Sequence, residues 1–144
     1  MVALVGVVIL FTVWSEGYNY LAPIVWLGQP FLIWVGIGLL LASLALILSA
    51  QIHMGNSLRI GIDREVKTQL VSEGIFGWSR NPIFLGMRLS LLGFFLVLPN
   101  AATLAILVLG DALMQIQVRL EEEYLFGLHN EDYRSYQKRV RRWL

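Results

Sequence analysis

Residues 31–50 run for twenty consecutive positions without a charge, roughly 30 Å as a helix, which matches the hydrocarbon thickness of a bilayer. Residues 1–14 are also uncharged but would reach only about 21 Å. No basic leader precedes them and no small-residue cleavage site follows, so the pattern predicts a short first span rather than a signal peptide. Two further apolar runs, 83–98 and 101–118, are separated only by Pro99 and Asn100, which predicts a helical hairpin. Between the first two spans, Tyr18, Tyr20, Pro23, Trp26 and Pro30 mix helix breakers with amphipathic rings, as in an interfacial loop carrying an aromatic belt.

The expected fold is therefore all-α and integral to the membrane. It is a single domain over 1–144 with four transmembrane helices at about 1–14, 31–50, 83–98 and 101–118, a loop over 51–82 and a tail over 119–144. In the tail, Tyr133, Tyr136, Val140 and Trp143 recur at helical spacing, with Arg134, Lys138, Arg141 and Arg142 on the opposite side. This predicts a basic amphipathic helix at the membrane surface, with anionic lipid as a partner; the other reading is a tail packed on its own loops.

Composition strengthens the membrane reading. Of the 144 residues, 57% are apolar and 15% charged, against about 45–50% and about 25% in ordinary soluble domains. The net charge of +1 gives no electrostatic reason to expect nucleic acid as a partner. With no Cys and only His53 and His129, neither a disulfide nor a zinc-type metal site is expected. The basic residues are sorted: Arg59, Arg64, Lys67 and Arg80 lie in the loop before the hairpin and six more follow the last span, while 15–30 and 99–100 have none. The positive-inside rule then places both termini and the 51–82 loop in the cytoplasm of a multi-pass protein.

Arg88 and Asp111 are the charges inside the last two spans, and each costs at least about 2.5 kcal/mol at membrane depth. Both stand 11.5 positions from the midpoint of the Pro99–Asn100 turn, so antiparallel helices bring them to one depth, and they are expected to pair or share a polar cavity. The pair is either an architectural bridge or an Arg oriented by Asp111 to hold an anionic ligand group. Asp111, Gln115, Arg119 and Glu122 form one stripe down the fourth span, which predicts a polar site opening to the cytoplasm at the base of the hairpin. Glu121, Glu122 and Glu123 would repel one another unless they meet a cation or hydrogen-bond donors. No Gly-rich nucleotide fingerprint, P-loop or nucleophile elbow occurs.

Residues 70–86 read Leu-Val-Ser-Glu-Gly-Ile-Phe-Gly-Trp-Ser-Arg-Asn-Pro-Ile-Phe-Leu-Gly, and after the hairpin come Glu121-Glu122, Leu125, Tyr133, Tyr136, Val140 and Arg142-Trp143. This resembles the isoprenylcysteine carboxyl methyltransferase and phospholipid methyltransferase superfamily of integral membrane enzymes. There a Leu-Val-x-x-Gly-x-Tyr segment leads into Arg-His-Pro-x-Tyr-x-Gly, and a later span ends in Glu-Glu followed by spaced tyrosines. The likeness covers about residues 51–144. It implies S-adenosyl-L-methionine as cofactor, bound on the cytoplasmic side, and a lipophilic or lipid substrate entering from the bilayer.

Carried over position by position, the resemblance implies cofactor contacts from Leu70, Val71, Phe76, Asn81, Pro82, Phe84 and Glu121, supported by Glu122, Tyr133 and Tyr136. Asn81 stands where the pattern prefers His, and Phe76 and Phe84 replace Tyr. Asn still donates and accepts, while Phe keeps only its stacking face. His129-Asn130 replaces a Phe-Gly, and Gln117 stands where the prenylcysteine enzymes have a substrate-binding Arg, with Arg119 nearest. Arg88 or Arg119 could orient a carboxylate acceptor; for an amine acceptor, Glu122 or Asp111 is the candidate base. The expected function is S-adenosylmethionine-dependent methyl transfer to a membrane-embedded carboxyl or amine. The alternatives are a nicotinamide-dependent membrane reductase of sterol-reductase type and a noncatalytic membrane relative.

Overall fold

The computed structural model describes residues 2–13, 19–54 and 70–144. Among them lie the helices α1 (Val2–Val13), α2 (Pro30–Met54), α3 (Pro82–Val97), α4 (Ala101–His129) and α5 (Glu131–Arg139), with 3-10 turns at Val25–Leu27 and Gly74–Gly77. No strand occurs among the described residues. Tyr18 of the expected aromatic belt and the loop cations Arg59, Arg64 and Lys67 fall outside them.

The helices begin and end where local chemistry dictates. Pro30 and Pro82 each open a helix at its first position, where a missing N–H costs nothing. Asn100 caps α4: its side chain accepts from Thr103 N, while the Thr103 hydroxyl accepts from Asn100 N. α2 and α4 are long and apolar enough to cross a membrane. Their outer faces expose Leu41, Leu44 and Leu48 on α2 and Val108, Leu109, Leu113 and Ile116 on α4. An apolar surface of that extent is unsustainable in water and natural in lipid. The 16 residues of α3 and the 12 of α1 fall below the roughly 20 needed to span alone.

α2 and α3 run antiparallel in contact so close that only small residues fit between them. Gly36, Ser43 and Ala50 are buried on α2 at intervals of one heptad, and Gly86 and Gly93 are buried on α3. The Ser43 hydroxyl donates to Gly86 O at 2.8 Å, and a Cβ on Gly36 would come within 2.8 Å of Gly93 O. In lipid, where apolar side chains gain nothing by leaving their solvent, close backbone approach and such hydrogen bonds hold helices together. Gly36→Ala should therefore cost about 1 to 2 kcal/mol, because backbone rather than a flexible side chain must move. Thermal unfolding in detergent checks this; an unchanged midpoint would mean that the two helices do not pack in this register.

The two ends of the bundle are chemically distinct. At one end, Ile24 N donates to Pro99 O at 2.8 Å and Ala101 N to Leu21 O at 3.0 Å, tying the segment before α2 to the hairpin turn. At the other end, the segment over 70–81 meets α5 and the chain's last residues, with Tyr133, Tyr136 and Val140 buried against Leu70 and Leu125. Among the described residues, Arg80, Arg119 and Arg142 lie at this second end.

The apolar stretch stops at 118, and α4 continues as helix through Glu121–Glu123 to His129. It ends at Asn130, whose φ of 43° is one that Asn tolerates better than other side-chain-bearing residues. Of the two readings of the tail, its apolar face follows the second, packing on the chain's own segments. Tyr133 and Tyr136 are almost fully buried within the protein, α5 stops at Arg139, and Val140 is extended. The apolar face is consumed by the chain itself, because Leu70, Leu125 and the 74–77 turn offer it a dry surface.

Candidate functional site

Glu121 and Glu122 are neighbours on α4 with opposite surroundings. The Glu122 carboxylate is buried and saturated: Arg142 donates from Nη2 at 2.7 Å and from Nε at 3.2 Å, Arg80 Nη2 lies at 3.3 Å, and Asn81 Nδ2 donates at 3.2 Å. Glu121 has no hydrogen bond or ion pair among the described residues, although it is partly buried. It lies beyond the apolar stretch of α4, and burial, reinforced by the charge of Glu122, pushes its carboxyl pKa up. One member of the pair thus holds structure, while the other has no partner among the described residues.

Glu121 opens onto a hollow of about 150 Å³. Phe76, Asn81, Pro82 and Phe84 line the same hollow, and Met54, Arg80 and Ile83 complete its walls. Five of the residues carried over from the resemblance thus converge. The 3-10 turn at Gly74–Gly77 brings in Phe76, and it depends on Gly74, whose φ of +61° disfavours a side chain. Asn81 and Pro82 stand at the start of α3, which carries Phe84 one turn in.

Leu70, Tyr133 and Tyr136 lie behind the hollow. They form the buried cluster that supports the turn, and the Tyr136 hydroxyl donates to Phe76 O at 2.6 Å. Burial pushes both phenols up to about 12, so Tyr136 remains a donor at any ordinary pH. Val71, half-buried beside Leu70, has no hydrogen bond among the described residues.

Arg119 and Glu122 lie on a second hollow of about 440 Å³ with Glu123, Phe126, Gln137 and Arg142. Arg88 belongs to neither. Its Nε donates to Asp111 Oδ1 at 2.5 Å, the pairing expected from equal offsets about the turn, and its guanidinium sits 4.6 Å from the centre of the Trp143 ring. Both side chains of the pair keep about a third of their surface open. Arg88→Leu should lower stability by about 1 kcal/mol by leaving Asp111 without its partner, and Arg88→Leu with Asp111→Leu should recover most of that. Double-mutant unfolding measures the coupling; additive losses would show that the bridge contributes nothing.

Arg80, Ser79, Arg142 and Trp143 do not emerge from sequence reasoning as site residues. Arg80 reads there as one loop charge among four, and Arg142 as part of a solvated basic face. The available signal was Glu122, since a carboxylate expected beside two others needs cations.

These helices and this pair of carboxylates describe a membrane protein with a small polar chamber at one end of its hairpin. The sequence profile of the phospholipid methyltransferase family matches residues 31–131, and the chain belongs to that family, within the wider superfamily that includes the isoprenylcysteine carboxyl methyltransferases. It is thus a member of a family of membrane methyltransferases. No curated protein and no solved structure matches the chain.

Proposed function

We propose that this chain transfers a methyl group from S-adenosylmethionine to a lipophilic acceptor held in the membrane, with the cofactor bound in the hollow bounded by Phe76, Asn81, Phe84 and Glu121. The observation that carries this reading is the partly buried Glu121 carboxylate, which has no partner among the described residues and faces aromatic walls and an amide. Left alone it costs the fold stability; an ammonium or a pair of hydroxyls would offset that cost. Phe76 and Phe84 offer faces on which a purine could stack, and the Nε of Arg80 is buried with no partner. About 150 Å³ is less than the roughly 300 Å³ at which ligand pockets begin, so the hollow suits one end of the cofactor.

When bound, S-adenosylmethionine supplies a methyl group on a sulfonium, already activated toward a positioned nucleophile. What remains for the protein is orientation and exclusion of water. With a carboxylate acceptor, Arg88 or Arg119 orients the oxygens and no base is required. With an amine acceptor a carboxylate must take the proton. Of the two candidates, Glu122 is engaged by two guanidinium groups and an amide, whereas Asp111 has a single hydrogen bond and is the more available. In the same proposal the spans at about 1–14, 31–50, 83–98 and 101–118 lie in the membrane, and the hollow and both termini face the cytoplasm, as the sorted basic residues imply.

Incubation of the protein in lipid with a methyl-labelled cofactor, followed by mass spectrometry of the lipid extract, tests the reading. The expected result is label in one class of carboxyl- or amine-bearing lipophile. Absence of label from every lipid fraction, with the protein folded, would overturn it.

A further inference from the structure

Residues 141–143 pack against the segment that carries Arg80 and Asn81 into the candidate site. Arg141 O accepts from Arg80 N at 3.0 Å, and Arg142 O accepts from the Ser79 hydroxyl at 3.2 Å and from Asn81 Nδ2 at 3.3 Å. The Arg142 guanidinium meanwhile holds Glu122 in a two-pronged contact, and Trp143 lies under Arg88.

Asn81 shows what this contact accomplishes. It stands at the N-cap of α3, where an Asn side chain ordinarily accepts from its own helix, yet it makes no such bond. Its amide nitrogen instead donates to two acceptors, Glu122 Oε1 and Arg142 O. Because both partners are acceptors, the amide can face only one way, and its Oδ1 is left as an open acceptor on a residue that lines the hollow.

We infer that Arg142 is a positioning residue for the cofactor. By anchoring Glu122 with its side chain and Asn81 with its carbonyl, it fixes the Asn81 amide so that Oδ1 accepts a hydrogen bond from an N–H or O–H of the bound methyl donor. This deepens the proposed function and rests on it. Arg142 touches no ligand itself; it acts through Asn81, and the end of the chain is thereby part of the site rather than a solvated appendage.

The test compares Arg142→Gln and Arg142→Lys with the unaltered protein in lipid nanodiscs, reading S-adenosylmethionine binding, the separate values of KM for the donor and kcat, and hydrogen exchange over residues 79–84. Arg142→Gln should raise the donor's dissociation constant and KM by about tenfold or more while kcat changes by less than about threefold, and should speed exchange at 79–84. Arg142→Lys keeps the charge opposite Glu122 and should recover at least half of the lost binding energy, or about threefold in affinity.

A merely structural role would lower the amount of active protein and hence apparent kcat, leaving KM where it was, and that pattern would overturn the inference. So would faster exchange with unchanged donor affinity. If the unaltered protein does not bind the donor at all, the proposed function fails first, and that failure is recognisable because the unaltered protein and the variant then agree in binding.

Discussion

Replacing Glu122 with Leu should destabilise the protein by about 3 to 5 kcal/mol, the cost of leaving buried charge without its counter-ion. The side chain is 7% exposed and answers Arg80, itself 11% exposed, together with Arg142 and the Asn81 amide. Leu would strand the Arg80 guanidinium, whose Nε already lacks a partner, and would release the chain end from the 79–81 segment. Glu122→Gln keeps the shape and one acceptor oxygen and should lie between Leu and the unaltered protein. Denaturant unfolding in detergent gives the number. A loss below about 1 kcal/mol for Glu122→Leu would mean that the cluster is solvated, as exposed ion pairs are.

The same substitution one residue earlier should behave oppositely. Glu121→Gln removes a carboxylate that has no partner among the described residues and whose pKa is raised by burial and by Glu122. A raised pKa in the folded state means that ionising Glu121 opposes folding, so its contribution to stability is lost as pH rises through that raised value. Glu121→Gln should therefore leave the ligand-free protein equally or more stable above the ordinary glutamate range. Donor binding should fall ten- to hundredfold, the loss of a charge-assisted contact in a partly buried site. Affinity of the unaltered protein should also weaken as pH falls through the raised pKa, and the variant should lose that dependence. Equal stability loss at 121 and 122 would contradict the division of roles between them.

Much of the fold is legible because apolar run length and turn chemistry are local properties. The run at 31–50 lies in the helix Pro30–Met54, that at 83–98 matches the helix Pro82–Val97 to within one residue at each end, and Pro99-Asn100 makes the turn. Helical rise alone predicts that Arg88 meets Asp111, since two straight helices joined by a tight turn have no other register. The end of α4 is not legible. Charge at 121–123 marks where the apolar medium stops, and a helix is free to continue into water. Nor does periodicity say which surface a face meets. Tyr133 and Tyr136 are spaced as on any amphipathic helix, and only the presence of Leu70, Leu125 and Phe76 O turns them inward. The heptad of Gly36, Ser43 and Ala50 is visible in the sequence but acquires meaning only beside Gly86 and Gly93.

The candidate site divides along the same line. Phe76, Asn81, Pro82, Phe84 and Glu121 come from resemblance to a family, not from pattern physics, and they share a hollow because the 74–77 turn, the start of α3 and the interior of α4 meet there. Arg142 escapes notice because its partner Glu122 lies 20 positions away in sequence, and a cation following a basic helix looks like one more solvated charge.

The most direct measurement is equilibrium binding of radiolabelled S-adenosylmethionine to the protein in lipid nanodiscs, with NADPH as competitor and Glu121→Gln in parallel. Saturable binding that NADPH does not displace and that Glu121→Gln weakens at least tenfold is the expected result. Displacement by NADPH, or equal affinity in the variant, would contradict a methyl-donor site at the Glu121 hollow.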